Sequence, residues 1–154
     1  MDQKIAVLGA GSIGSSFAAD LTDAGLDVTI IDQWPAHVEV MKNKGLDITM
    51  PDLHLKIPVT AWHVCELAKH MPQFDIVFLS VKSYDTAWLT QLIEPYLKAD
   101  GVLIGLQNGM NNETISDIIG TDRKICCAVE ISAENFTPGI VKRDTSSSAT
   151  WIGN

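Results

Sequence analysis

Apolar positions along the chain fall into two alternating patterns, short continuous runs and helical stripes. The continuous runs are typical of buried strands and cover residues 4–8, 27–31, 75–81, 102–106 and 125–131. Between the runs, the spacing predicts helices over residues 12–24, 36–44, 64–70, 85–97 and 112–119. In the first of these helices, Ile13, Phe17 and Leu21 form one buried stripe, and Gly25 ends the helix. Strands that alternate with helices predict a parallel sheet covered by helices.

Residues 46–60 break this alternation. Their apolar side chains alternate with polar ones on both sides of Met50-Pro51-Asp52, which predicts a hairpin or two short strands. The stretch from Ile140 onward is polar and also rich in β-forming residues. We therefore expect an α/β fold over residues 1–154, with a Rossmann-type, doubly wound and mostly parallel sheet that carries helices on both faces.

A glycine-rich loop joins the first predicted strand to the first predicted helix. It reads Gly9-Ala10-Gly11-Ser12-Ile13-Gly14 and matches the pattern G-x-G-x-x-G. The strand before it and the helix after it are the context that favours dinucleotide binding over a chance match. Gly9 permits the tight turn, Gly11 lets a pyrophosphate approach the backbone, and Gly14 lets helix and strand pack closely. The N–H groups at the start of the helix then face the anionic phosphates.

An acidic residue, Asp32, stands at the end of the second strand and is followed by Gln33. A carboxylate at this place accepts hydrogen bonds from the adenosine ribose hydroxyls, and it repels a 2′-phosphate. The sequence therefore favours NAD(H) over NADP(H) as the cofactor. The alternative is a glycine-rich turn with a solvated Asp32 that binds nothing.

Two later strands also end in polar loops, at the edge of the sheet where ligands bind in doubly wound folds. The first loop is Val81-Lys82-Ser83-Tyr84-Asp85 and the second is Gln107-Asn108-Gly109-Met110. Lys82 can offer a charged donor to a phosphate, a ribose or a carboxylate, or it is a solvated lysine ahead of a helix that Ser83 caps. Asn108 can orient a substrate or a nicotinamide group, or it is half of an ordinary Asn-Gly turn.

The glycine loop and these two polar loops together resemble the N-terminal domain of the ketopantoate reductase (2-dehydropantoate 2-reductase) family. The resemblance spans essentially the whole chain. It implies a nicotinamide-dependent reduction of 2-dehydropantoate to pantoate, on the way to pantothenate and coenzyme A. It also implies that Lys82 helps to bind the cofactor and that Asn108 contacts the substrate or the nicotinamide. Many members that use NADP carry an arginine where Gln33 stands, so the resemblance reinforces the preference for NAD.

The same resemblance places the family's catalytic lysine, and a glutamate that helps to bind substrate, in a helical second domain that would follow Asn154. We therefore expect no catalytic residue within these 154 residues, and we expect the chain alone to bind cofactor but to turn over slowly or not at all. Two alternatives stay open: a two-domain dehydrogenase for another small 2-keto acid, and a non-catalytic regulatory domain that senses NAD.

The composition of the chain restricts the kinds of partner that it can bind. The chain carries 11 Lys and Arg against 19 Asp and Glu, a net charge of -8, which argues against nucleic acid and against a basic membrane-surface role. No apolar run approaches the roughly 18 residues of a membrane span, and three cysteines, two of them adjacent, favour a reducing, cytoplasmic location. The histidines His37, His54, His63 and His70 lack a metal-binding spacing and are interpreted as surface or packing residues. The expected partner is a small 2-keto acid, and a homodimer is left open.

Overall fold

Strands and helices alternate along the chain in a computed structural model that describes residues 3–107, 110–146 and 149–153. The strands are β1 (Lys4–Leu8), β2 (Asp27–Asp32), β3 (Leu46–Thr49), β4 (His54–Ile57), β5 (Thr60–His63), β6 (Phe74–Leu79), β7 (Leu97–Gly105), β8 (Lys124–Glu130), β9 (Ala133–Thr137), β10 (Ile140–Arg143) and β11 (Ala149–Gly153). The α-helices are α1 (Ser12–Asp23), α2 (Pro35–Lys44), α3 (Leu67–His70), α4 (Thr86–Ile93) and α5 (Asn112–Ile119). Short 3₁₀ turns lie at Val64–Glu66, Ser83–Asp85, Glu94–Tyr96 and Thr121–Arg123.

The main sheet has the strand order β11-β8-β7-β6-β1-β2-β5. Its strands pair in parallel except β11, which is antiparallel to β8. From β1 the chain proceeds to β2 and β5 on one side, and then returns to β6 on the other side of β1. This reversal places a crevice at the carboxyl ends of β1 and β6, where doubly wound folds bind their ligands. The predicted Rossmann-type fold is confirmed.

Apolar side chains of β1 point alternately to two cores, as the period of a strand requires. Ile5 and Val7 pack in one core with buried residues of α1 and α2. Ala6 and Leu8 pack in the other core with buried residues of α3, α4 and α5. The main sheet therefore carries helices on both faces, as predicted.

A second sheet, with the order β4-β3-β10-β9, covers α1 from the side opposite the main sheet. The predicted hairpin supplies β3 and β4, which pair antiparallel. Strand β10 joins β3 in parallel, and β9 pairs antiparallel with β10. Arg143 of β10, 1% exposed, donates a 2.8 Å hydrogen bond to the carboxylate of Asp20 on α1. Helix α1 is thus held between two sheets.

Three details differ from the sequence-based expectations. Thr60–His63 forms a parallel strand beside β2, whereas the sequence pattern predicts only a hairpin or two short strands over residues 46–60. The predicted helix over residues 85–97 is wrong at its end, because Pro95 lacks an N–H and the chain forms a 3₁₀ turn before β7 starts at Leu97. Strand β9 was not predicted, since its ENFT segment lacks an apolar run. None of the described helices has the length and apolar character of a bilayer-spanning segment.

Candidate functional site

A cleft of about 420 Å³ opens at the carboxyl ends of the central strands. It is lined by Gly9, Gly11, Ser12, Ile13, Asp32, Gln33, Ser80, Val81, Lys82, Ser83, Tyr84, Asp85, Leu106, Gln107, Val129 and Ile131. The structure thus brings together seven residues nominated from the sequence, namely Gly9, Gly11, Ser12, Ile13, Asp32, Gln33 and Lys82. Ala10 and Gly14 are buried in the loop behind the cleft wall. Asn108 lies outside the described residues.

The three glycines of the loop have different surroundings. Gly9 has a φ of +96°, and a Cβ there would lie 2.5 Å from the carbonyl oxygen of Ser80. A Cβ at Gly14 would overlap the carbonyl oxygen of Gly9. A Cβ at Gly11, in contrast, would meet no atom within 4 Å. Packing within the chain therefore requires glycine at Gly9 and Gly14, whereas the space at Gly11 is open on the cleft side.

The open space at Gly11 lies at the start of α1. Gly11 is the N-cap residue of this helix and has no side chain to accept a hydrogen bond from the first-turn N–H groups. These N–H groups and the positive end of the helix dipole form a site suited to an anion. These N–H groups and the open space at Gly11, together called the anion cradle, therefore fit a phosphate or pyrophosphate group.

The carboxylate of Asp32 binds two backbone segments beside the cleft, the glycine loop and the turn after β2. Its Oδ2 accepts a hydrogen bond from the Ala10 N–H at 2.5 Å, and its Oδ1 accepts one from the Trp34 N–H at 2.7 Å. The residue is 8% exposed and still lines the cleft. The sequence indicated a carboxylate facing a ribose, but it gave no sign that the same carboxylate holds the glycine loop to the turn after β2.

His37 of α2 lies behind the glycine loop and is fully buried. Its Nε2 lies 3.2 Å from Ser15 Oγ, which in turn donates to the Ala10 carbonyl oxygen at 2.9 Å. Burial lowers the pKa of His37 below its usual value, and the nearby Asp32 carboxylate and Ala10 carbonyl offset part of that effect. The interpretation of His37 as a surface or packing residue did not foresee this polar network.

Lys82 reaches the cleft from the loop after β6. It is exposed, it precedes the 3₁₀ turn Ser83–Asp85, and within the described part of the chain it forms no ion pair or side-chain hydrogen bond. Asp85 accepts a 2.6 Å hydrogen bond from the indole N–H of Trp88. The ammonium group of Lys82 is therefore available to an anionic ligand.

A chain of side-chain hydrogen bonds joins the two polar loops that the sequence indicated separately. Gln107 Nε2 donates to Thr86 Oγ1 at 2.6 Å, and Thr86 Oγ1 donates to Asn111 Oδ1 at 3.4 Å. Asn111 Nδ2 then donates to Ser83 Oγ at 3.3 Å. Thr86 is 1% exposed, so this network is anchored in the protein interior. Sequence reasoning did not identify Thr86 or Asn111, because their role depends on contacts between different loops.

The far wall of the cleft comes from β8 and the residue after it. Val129 and Ile131 add apolar surface opposite the glycine loop. Sequence reasoning did not name them as site residues, although the strand predicted over residues 125–131 ends there and could have indicated them. Within residues 3–107, 110–146 and 149–153, no group of three or more His, Cys, Asp or Glu side chains is arranged to hold a metal ion.

Comparison with known proteins agrees with this architecture. The family model described as ketopantoate reductase PanE/ApbA matches residues 5–154. The chain belongs to the ketopantoate reductase family. A 2-dehydropantoate 2-reductase from Pyrococcus abyssi is 38% identical over 111 residues, which are 71% of this chain and 34% of that protein.

Solved structures of the ketopantoate reductase type have the same fold. A PanE/ApbA family ketopantoate reductase from Ralstonia eutropha JMP134 superposes with a TM-score of 0.81 at 27% identity, over 91% of this chain and 46% of that one. D-mandelate dehydrogenase with NADH and anilino(oxo)acetate superposes with a TM-score of 0.87 at 27% identity, over 97% of this chain and 47% of that one. The chain thus spans about a third to a half of the length of these relatives.

Proposed function

We propose that residues 1–154 form the dinucleotide-binding domain of a nicotinamide-dependent 2-keto acid reductase. The observation that carries the proposal is the open cradle at Gly11, which shares one cleft with Asp32 and Lys82. An anion site, a ribose acceptor and an exposed cation are groups suited to binding a dinucleotide. NADH bound in the similar D-mandelate dehydrogenase supports the same assignment.

Each end of the cofactor has a distinct set of residues. The N–H groups at the start of α1 would bind the pyrophosphate, and Lys82 would neutralise part of its charge. Asp32 would accept hydrogen bonds from the adenosine ribose. An apolar pocket of about 400 Å³ beside it, lined among others by Val64, Leu67 and Leu92, would receive the adenine.

The cofactor preference follows from the end of β2. Asp32 offers a 2′-phosphate no donor and repels it, and Gln33 adds no positive charge. We expect NADH to bind at least about tenfold more tightly than NADPH, which corresponds to about 1.4 kcal/mol. Isothermal titration calorimetry with the two cofactors tests this, and tighter binding of NADPH would overturn the preference.

The proposed reaction is hydride transfer from NAD(P)H to the keto group of 2-dehydropantoate, which gives pantoate. The reductases among the relatives support this substrate, and D-mandelate dehydrogenase supports another small 2-keto acid as the alternative. Within this domain, Gln107 and Asn108 would contact the substrate or the nicotinamide. The network through Thr86 would hold their loop in place.

No residue of this domain is assigned as the proton donor, since the resemblance places the catalytic lysine beyond residue 154. We therefore expect NADH binding with little or no ketopantoate-dependent NADH oxidation by this chain. An amide NMR titration adds a test of the substrate: with NADH bound, 2-dehydropantoate should shift signals of residues 106–111. No shift on adding substrate would favour a domain that only senses the dinucleotide.

A further inference from the structure

The buried ring of His37 connects the second sheet to the glycine loop. The N–H of Gly139, in the turn between β9 and β10, donates to His37 Nδ1 at 2.8 Å. Because Nδ1 accepts this bond, the neutral ring carries its proton on Nε2. Nε2–H then donates to Ser15 Oγ, which leaves the Ser15 hydroxyl proton for the Ala10 carbonyl oxygen. Every donor and acceptor in this relay therefore has one assigned direction.

The last bond of the relay sets the orientation of one peptide group. The Ala10 carbonyl and the Gly11 N–H belong to the same trans peptide, so they point in opposite directions. Ser15 holds the carbonyl toward the interior, and the Gly11 N–H is therefore turned toward the cleft. It donates to no acceptor among the described residues. Asp32 holds the same residue from its other side, through the Ala10 N–H.

We infer that His37 is a positioning residue for pyrophosphate binding, acting through Ser15 to aim the Gly11 N–H at the ligand. The inference rests on the proposed dinucleotide function and extends it to a residue that does not touch the cofactor. The two ring nitrogens have separate tasks. Nδ1 anchors the ring to Gly139, whereas Nε2 orients the glycine loop. A pre-oriented donor improves affinity because binding does not have to order it.

Two amide substitutions separate these tasks. The Nε2 amide group of His37→Gln occupies the place of the ring Nε2 and can still donate to Ser15 Oγ. The carboxamide of His37→Asn reaches only the place of Nδ1, so it can bind Gly139 but not Ser15. Ser15→Ala removes the relay while leaving the ring. Thr22→Val is the matched control, because it removes a 2.7 Å hydroxyl-to-carbonyl bond from the far end of the same helix.

The test measures the affinity of each variant of the full chain for NADH by calorimetry, at a temperature where all are folded. We expect about a tenfold loss for Ser15→Ala and His37→Asn, from one weakened charge-assisted hydrogen bond. His37→Gln and Thr22→Val should stay within about threefold of wild type. If the glutamine and asparagine variants lose affinity equally, or if Ser15→Ala binds like wild type, His37 only fills space and the inference is wrong.

A second pair of ligands locates the effect at the pyrophosphate. In NMR titrations, Ser15→Ala should weaken binding of ADP and leave binding of adenosine unchanged, since adenosine lacks the phosphates that the Gly11 N–H would bind. Equal losses for both ligands would contradict the inference. Nitrogen-15 shifts of the wild-type imidazole give a check that needs no variant, because the relay requires the proton on Nε2. Finding it on Nδ1 would also contradict the inference. Failure of the wild type to bind NADH would instead refute the proposed function itself.

Discussion

Gly11→Ala should separate folding from cofactor binding. In the free protein the added methyl group meets no atom within 4 Å. The backbone at Gly11 has φ -64° and ψ -171°, a conformation that alanine adopts without strain. The substitution therefore places a methyl group in open space where the proposed pyrophosphate would lie against the backbone.

Two small and opposing terms determine the effect on stability. Alanine is a poorer N-cap than glycine, which costs about 0.5–1 kcal/mol. Alanine also has less backbone freedom than glycine in the unfolded chain, which stabilises the folded protein by about 0.4–1 kcal/mol. The net change in the free energy of unfolding should be close to zero, and the melting temperature should move by no more than about 2–4 °C. Cofactor affinity should fall about 10- to 100-fold, because one or two charge-assisted hydrogen bonds of about 1.5–3 kcal/mol are weakened.

Thermal unfolding followed by circular dichroism, together with NADH calorimetry, measures both quantities on the same sample. Gly14→Ala is the matched comparison, because its methyl group would overlap the Gly9 carbonyl oxygen. That variant should lose about 1–3 kcal/mol of stability or fail to fold. A Gly11→Ala protein that binds NADH as tightly as wild type would show that the ligand does not approach the loop at Gly11.

Three further outcomes test other parts of the structure. Lys82→Met should lower NADH affinity about threefold to tenfold and flatten its dependence on salt, whereas Lys44→Met, remote from the cleft, should change neither. Burial lowers the pKa of His37, so protonation of the ring favours the unfolded chain. The contribution of the neutral ring to the free energy of unfolding is complete above about pH 6.5 and is lost as the pH falls below that value. The stability of wild type relative to His37→Gln, measured by urea unfolding, should therefore decline between about pH 7 and about pH 5, and a constant difference would contradict this. Asp20→Ala removes the carboxylate that lies 2.8 Å from the buried Arg143 guanidinium, and in the same assay it should cost about 1–2 kcal/mol, reduced by the partial exposure of Asp20.

Local patterns were sufficient for the central strands of the main sheet and for the loops that line the cleft. The apolar runs that form β1, β2 and β6 are continuous and only five or six residues long, which favours strands over helices. The glycine loop could be located because its pattern stands between a predicted strand and a predicted helix. Asp32 and Lys82 follow from the rule that loops at the carboxyl ends of parallel strands share one edge.

The remaining features depend on contacts between distant segments. Strand β5 is four residues long and reads TAWH, so its place beside β2 comes from pairing and not from its own periodicity. The burial of His37 on α2 cannot be predicted from its neighbours in sequence, because it depends on the contact with the distant turn at Gly139. The hydrogen bonds from Gln107 through Thr86 to Asn111 likewise require that two loops first be brought together. These features could not be read from local sequence.

The parallel pairing of β10 with β3 has a consequence for the order of folding. Strand β10 and the turn before it complete the second sheet, which covers α1. Their contacts close loops of 102 residues at Gly139–His37 and 123 residues at Arg143–Asp20. Loops of this length make the closing step slow. During synthesis on the ribosome, the glycine loop would remain without its rear support until residues 139–143 emerge. The anion cradle of a nascent chain would therefore be the first part of the fold to be made and among the last to become rigid.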